Sequence, residues 1–237
     1  MVIDLRNTIE ANLDALRGRV DECLVKAGRA GEDVTVVAVS KTVSLDAILL
    51  AVELGVTDVG ENKVQEALEK IPAGTRRSNM PRWHMVGHLQ TNKVKPAVQL
   101  FDVVQSVDSN RIAKELSKRA KEEGKNIDVL VEVNTSGETT KFGVFAEAAE
   151  KLIEEISDLD SISVKGLMTV GPLGEDEEAR ASFRTLRRLF EKIGKKGIGG
   201  VQMKYLSMGM TDDFESALEE GSNMIRIGRA IFGPRTS

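Results

Sequence analysis

Eight short runs rich in valine and isoleucine, each followed by a longer amphipathic stretch, constrain this chain more than any other feature of its sequence. The runs begin near Val34, Val56, Trp83, Phe101, Ile127, Ile162, Met203 and Asn223. They barely alternate between apolar and polar residues, as strands do when both faces of a parallel sheet are buried. The stretches between them carry helical spacing with readable ends. Ile112, Ala113, Leu116 and Ala120 share one face between Ser109, placed to cap the start, and Gly124, placed to end it. Ser44 is placed to cap a helix that carries Ile48, Leu49, Val52 and Leu54 and closes at Gly55. A further stripe, Phe183, Leu186, Leu189, Phe190 and Ile193, ends at Gly194. An opening helix puts Ile9, Leu13, Leu16, Val20, Cys23 and Leu24 on one face with Gly28 as its stop, which makes Cys23 a small core residue.

Strands alternating with helices imply parallel β/α units joined by right-handed crossovers. Eight such units after a leading helix predict an α/β fold, a closed (β/α)₈ TIM barrel occupying residues 1–237 as a single domain. The main rival is an open doubly wound sheet. That fold usually carries a glycine fingerprint after its first strand, and VAVSKTVS contains no glycine.

Composition narrows the function. The chain holds 33 lysines and arginines against 37 aspartates and glutamates, a net charge of −4, with no basic block. Such a chain is a poor general binder of nucleic acid or of anionic membrane. The single Cys23 excludes an internal disulfide and a Cys-rich zinc module, and two histidines exclude a three-His centre. The opening Met-Val-Ile-Asp-Leu-Arg carries acid early and has no apolar core of signal-peptide length, and no apolar run is long enough to span a bilayer. A cytoplasmic protein is expected.

In a barrel of this kind reactive groups project from the carboxyl ends of the strands, and phosphate is commonly held by the loops after strands seven and eight. The first strand ends in Ser40 and Lys41. Lys41 taken alone is read either as a solvated terminus or as a partly desolvated amine able to form an imine with an aldehyde. The seventh strand runs into Ser207, Met208 and Gly209, and the eighth supplies Arg226, Gly228 and Arg229: a hydroxyl, a guanidinium and closely approachable backbone amides. Asp212, Asp213 and Glu215 open the next helix and are expected to satisfy its N-terminal dipole, so an anion should prefer the turn after strand eight. His84 and His88 lack a glutamate after the first and a third ligand, and read as structural rather than metal-binding. Residues 197–200 read as a plain glycine-rich loop, and the acids at 175–178 as the first turn of a helix.

Eight motifs then carry a resemblance. VAVSKT at 37–42, GENKVQE at 60–66, WHMVGHLQTNK at 83–93, QSVDS at 105–109, VNTSGETTKFG at 133–143, GLMTVGP at 166–172, LSMGMTDD at 206–213 and NMIRIGRAIFG at 223–233 resemble, in order and over nearly the whole chain, the pyridoxal phosphate homeostasis proteins. Those proteins in turn resemble the N-terminal barrel of alanine racemases without the second domain. The resemblance implies a protein that binds pyridoxal 5′-phosphate (PLP) and buffers it or delivers it to PLP-dependent apoenzymes, without an established catalytic activity. It implies that Lys41 is the Schiff-base lysine, that Ser207 beside Gly209 reaches the phosphate, and that the amides around Gly228 and Arg229 form the anion turn. Arg226 matches the arginine near the pyridine nitrogen, and Asn62 and Met168 match positions lining the cofactor. One departure is Arg229, where the family often has a small hydroxyl residue.

An arginine beside the pyridine nitrogen disfavours its protonation and so the electron-sink chemistry that needs it. Racemisation also needs a second base. In alanine racemases this is a tyrosine of the second domain, whereas Tyr205, the only tyrosine here, lies inside a strand. The alternative function is a PLP-dependent amino-acid racemase. A phosphosugar-type barrel enzyme would require paired carboxylates, and Glu61, Asp108 and Glu132 form no pair readable from the sequence. Lys63, Lys93 and Lys141 read either as solvated charges or as a second, transient docking amine for the aldehyde near the mouth, and the expected assembly is a monomer, with no nucleic-acid or membrane partner.

Overall fold

The structure, a computed structural model, describes residues 2–71, 80–138, 140–172 and 176–234. Eight strands carry the fold: β1 Thr35–Val39, β2 Asp58–Glu61, β3 Arg82–Met85, β4 Val103–Val107, β5 Ile127–Asn134, β6 Ile162–Met168, β7 Val201–Ser207 and β8 Met224–Ile227. Each pairs in parallel with the next, and β8 pairs with β1, so the sheet closes on itself as an α/β TIM barrel. All five residues of β4 and seven of eight in β5 are buried, the double-sided burial that the Val/Ile runs demand. An additional two-residue strand, Val144–Phe145, pairs with the end of β5; it is too short to leave a periodic signal in the sequence.

Helices cover the outside: α1 Val2–Lys26, α2 Leu45–Glu53, α3 Val64–Lys70, α4 Val94–Leu100, α5 Asn110–Glu122, α6 Ala146–Ile156, α7 Asp176–Lys196, α8 Phe214–Glu219 and α9 Arg229–Phe232. The helix following β8 is a single turn. The leading helix α1 packs against α8, α9 and α2 and so completes the ring where that turn falls short. Its buried stripe is the expected Ile9, Leu13, Leu16, Val20, Cys23 and Leu24. Truncating one of these leucines to alanine costs about 2–5 kcal/mol, because the site cannot collapse onto the space it leaves.

Three local expectations are corrected. Gly194 lies inside α7, which ends only at Gly197, where φ is +61°. Leu49 faces solvent, whereas α2 buries Ile48 as expected, together with Ala47 and Ala51; Ser44 caps it as expected, accepting from the Ala47 amide. Ser109 occupies the N-cap of α5, but its hydroxyl donates to Asp108 rather than serving the helix amides. Of the acids read as the first turn of α7, residue 175 falls outside the described residues, and Asp176, Glu177 and Glu178 lie in that turn. Residues 197–200 form the expected loop before β7. Among the described residues, no helix is long and apolar enough to cross a membrane.

The interior of the barrel is polar. A small apolar cluster of Val37, Leu130, Met168 and Met224 shares it with hydrogen-bonded side chains from end to end. At the amino end Arg82 pairs with Asp128 and donates to the hydroxyl of Tyr205. Further up, His84 Nε2 meets Asp58 Oδ1 at 2.8 Å and His84 Nδ1 meets Gln105 Nε2 at 2.9 Å. At the carboxyl end lie Ser207 and Arg226.

Candidate functional site

Lys41 is the second residue past β1 and stands half-buried at the carboxyl rim of the barrel. The turn that presents it is braced from beneath. The Ser40 amide donates to Gly60 O, and its hydroxyl donates to Glu61 Oε1 at 2.5 Å. Lys70, from the last turn of α3, donates to Ser40 O and to Glu61 Oε1, both at 2.7 Å. Glu61 is fully buried and Lys70 nearly so, which shelters this pair from the screening that weakens surface pairs. Thr42 holds a left-handed φ of 64°, a conformation that costs a non-glycine residue roughly 1–2 kcal/mol, so the turn is held in place by its contacts rather than by local preference. Among the described residues, no hydrogen-bond or ion-pair partner takes up the Lys41 amine.

Arg226 points into the barrel from β8. Its Nη1 donates to Ser207 Oγ and its Nη2 to Thr169 O, each at 2.7 Å. Burial pulls its pKa down to about 10, with Asp213 and Glu132 acting against the shift, so the guanidinium remains charged at neutral pH. Ser207, fully buried, directs its single proton to Gln105 Oε1 at 2.7 Å. A donor role for this hydroxyl toward an anion therefore requires that bond to be exchanged.

The turns after β7 and β8 differ in what they offer. Gly209 has φ of +96°, and a Cβ there would lie 2.6 Å from that of Ala217, so only glycine fits. The next amide, Met210, is taken by Asp213 Oδ1. The acids at the start of α8 are spent differently from the sequence expectation. Asp213 sits at the N-cap without bonding the helix amides, Glu215 pairs with Arg19 of α1, and Asp212 pairs with Arg229. Their placement still sets negative charge at this turn. At the β8 turn, Gly228 runs so close to β1 that an added Cβ would lie 3.1 Å from Val39 O. The amides of Ile231 and Phe232 return to Gly228 O, and those of Arg229 and Ala230, first in the turn, have no intrahelical acceptor. The Arg229 guanidinium is committed to Asp212, which leaves its backbone amide as the group open to an anion.

The remaining residues line the rest of the mouth. Met168 closes β6 inside the barrel, fully buried. Asn62 follows β2 and borders a cavity of about 300 Å³ with Lys63, Met85 and His88; its Oδ1 is buried without a partner. A larger groove, about 760 Å³, runs between the ends of β3, β4 and β5 past Asp108, Arg111, Lys141 and Phe142. His88 stacks on Phe142 with ring centres 3.9 Å apart and meets Asp108 at 3.3 Å. Lys93 bonds Gln65, and Lys141 pairs with Glu138. Glu132, on β5, is buried, and its Oε2 has no partner.

Three adjacent strands, β7, β8 and β1, thus bring together a buried cation, a tight amide turn and an unpaired amine. The donor set fits a small molecule that bears both an anionic group and an aldehyde. The buried Asn62 Oδ1, without a hydrogen-bond partner, is a further open polar atom at this end of the barrel.

Residues 11–236 match the family model described as alanine racemase, N-terminal domain. Over 229 residues the chain is 36% identical to the pyridoxal phosphate homeostasis protein of Pasteurella multocida, covering 96% of this chain and 98% of that one. With the protein of the same name from Aquifex aeolicus it shares 39% over 218 residues, 92% and 94% of the two chains. The chain belongs to the pyridoxal phosphate homeostasis protein family. Two solved structures of PipY from Synechococcus elongatus superpose on this family member with TM-scores of 0.84 without PLP and 0.82 with PLP bound. Both are 31% identical to it and cover 95% of this chain and 100% of theirs. An alanine racemase from Clostridium difficile shares the fold at a TM-score of 0.74 and 17% identity, over 98% of this chain and 58% of the racemase.

All eight residues singled out from sequence lie at one end of the barrel. Sequence reasoning did not find Gln105, Thr169 or Lys70. Gln105 and Ser106 interrupt an otherwise apolar strand, a signal of polar interior, whereas Lys70 looks like any surface lysine until the β1 turn is placed over it.

Proposed function

We propose that this chain binds pyridoxal 5′-phosphate through Lys41 and holds it in the cytoplasm as a carrier or buffer for PLP-dependent apoenzymes, without catalysing a reaction of its own. The observation that carries the reading is the adjacency of β7, β8 and β1, which sets buried Arg226 and the Gly228 turn beside the strand that presents Lys41. The names of its relatives support the homeostatic role.

Bound PLP supplies an aldehyde to a lysine amine and an electron-withdrawing ring. Lys41 would hold that aldehyde through its Nζ, the amine whose condensation with it would release water. The Arg229 and Ala230 amides receive the phosphate, with Ser207 and Gly209 at the adjoining turn. Arg226, lined up by Ser207 and Thr169, presents a charged donor that keeps a neighbouring pyridine nitrogen unprotonated, which leaves the ring a weak electron sink. Asn62 and Met168 border the ring. Tyr205 supports a non-catalytic reading, because its hydroxyl accepts from Arg82 at the opposite end of the barrel and is not positioned to act as a second base at the mouth.

The test is a visible-absorbance titration with PLP, run on wild type and Lys41→Ala, followed by incubation of the loaded wild type with single-enantiomer alanine in heavy water. The reading expects yellow wild type, loss of the band in the variant, and little exchange of the α-proton. A colourless wild type overturns the ligand. Rapid α-proton exchange with enantiomer interconversion establishes the racemase in place of the carrier.

A further inference from the structure

Glu132 stands apart from the other acids inside the barrel. Asp58 is held by His84, Asp128 by Arg82, and Asp108 by His88 and Ser109. Glu132 has only 7% of its surface exposed, and its Oε2 is buried with no hydrogen-bond partner. Its direction follows from the strand. Leu130 belongs to the interior apolar cluster, and two residues further along β5 the side chain returns to the same face, one layer nearer the mouth. Register fixes its neighbours. Glu132 lies opposite Met168 of β6, and the pairing of Val131 with Val107 of β4 brings Asp108 alongside. The charges acting on it are Asp108 from the end of β4 and Arg226 from β8, while its β6 neighbour is uncharged.

We infer that Glu132 is the proton-holding residue at the carboxyl end of the barrel: it takes up a proton from solvent when an anionic ligand enters, so that ligand binding is coupled to neutralisation of its carboxyl. The inference rests on the PLP reading for the identity of the ligand. Burial, reinforced by Asp108 and opposed by Arg226, raises this carboxyl to about 7, so it exchanges its proton near neutral pH. A phosphate ester carries about −1.5 to −2 charge at that pH. A second anion added to a pocket that already holds Asp108 drives the acid further toward its neutral form. Ionised Glu132 resists the ligand and protonated Glu132 tolerates it, which makes the residue a determinant of affinity rather than of chemistry. Glutamine has the shape and neutrality of the protonated acid at every pH.

The experiment compares PLP dissociation constants of wild type and Glu132→Gln from pH 6 to pH 8.5. Ionisations other than that of residue 132 are common to both proteins and cancel in the ratio. The wild-type constant divided by that of the variant is expected near one at pH 6 and to rise about threefold or more by pH 8.5. Parallel curves with intact binding overturn the inference and leave the PLP reading standing. Failure of both proteins to bind PLP overturns the reading itself, and the inference with it. A second measurement needs no variant for its signal: the infrared difference spectrum of wild type at pH 7.5 should gain a protonated-carboxyl band on adding PLP, one that Glu132→Gln lacks. A spectrum without that gain contradicts the coupling.

Discussion

Arg226 of β8 donates from Nη1 to Ser207 Oγ of β7 over 2.7 Å, with both side chains sealed from solvent. Ser207 passes the interaction to Gln105, Gln105 to His84, and His84 to Asp58. The cation that faces the mouth is therefore anchored through a ladder reaching the other end of the barrel. An arginine held this way keeps one orientation, and burial lowers its pKa only to about 10, so it stays charged at neutral pH.

Replacing Ser207 by alanine strands Arg226 Nη1 and Gln105 Oε1 in the interior. Each buried polar group left without a partner costs about 1–3 kcal/mol. Urea unfolding of Ser207→Ala without PLP should show a loss of that order, accompanied by weaker PLP binding. Unchanged unfolding would mean that the ladder does not support the fold.

The pH dependence of stability has a worked sign at Glu132. Its carboxyl titrates at about 7 in the fold against an ordinary 4.5, so between those values the folded chain holds a proton that the unfolded chain has released. Stability contributed by this residue is present below about 4.5, declines as pH rises to about 7, and is flat above, a total of roughly 3 kcal/mol. Glu132→Gln removes that decline. Its stability relative to wild type, from urea midpoints at pH 5 and pH 8, should improve at the higher pH by a sizeable share of that amount; an equal difference at both pH values contradicts the burial argument.

Arg229→Ala should change little. The guanidinium it removes is half-exposed and paired with exposed Asp212, a class of interaction worth about 0–1 kcal/mol. The backbone amide offered to the anion remains. PLP affinity within about twofold of wild type, read by absorbance titration, is the expected result. A tenfold loss would show that the side chain itself holds the phosphate.

How far the fold is legible from sequence follows from which interactions are local. The strands are readable because burial on both faces demands runs such as 127–134, and most helices because capping residues and glycines mark their ends. Gly194 misleads because a glycine on a solvent-facing turn of α7 is tolerated at a cost of about 1 kcal/mol, and the true stop lies three residues on. At the site, the rim residues are readable because the barrel dictates where strand ends meet, which puts Lys41, Ser207 and Arg226 together. What supports them is not readable. Gln105 and Ser207 are 102 residues apart, and Lys70 reaches Ser40 across 30. Asp108 and Glu132, unpaired along the chain, become neighbours only through the register of β4 and β5.

The central claim is that the amine presented by β1 captures the aldehyde. Incubating the protein with PLP, reducing it with borohydride and mapping the digest by mass spectrometry tests this directly. The account predicts one phosphopyridoxyl group, on the peptide that contains Lys41. A group found on another lysine with Lys41 unmodified, or none at all, would contradict it.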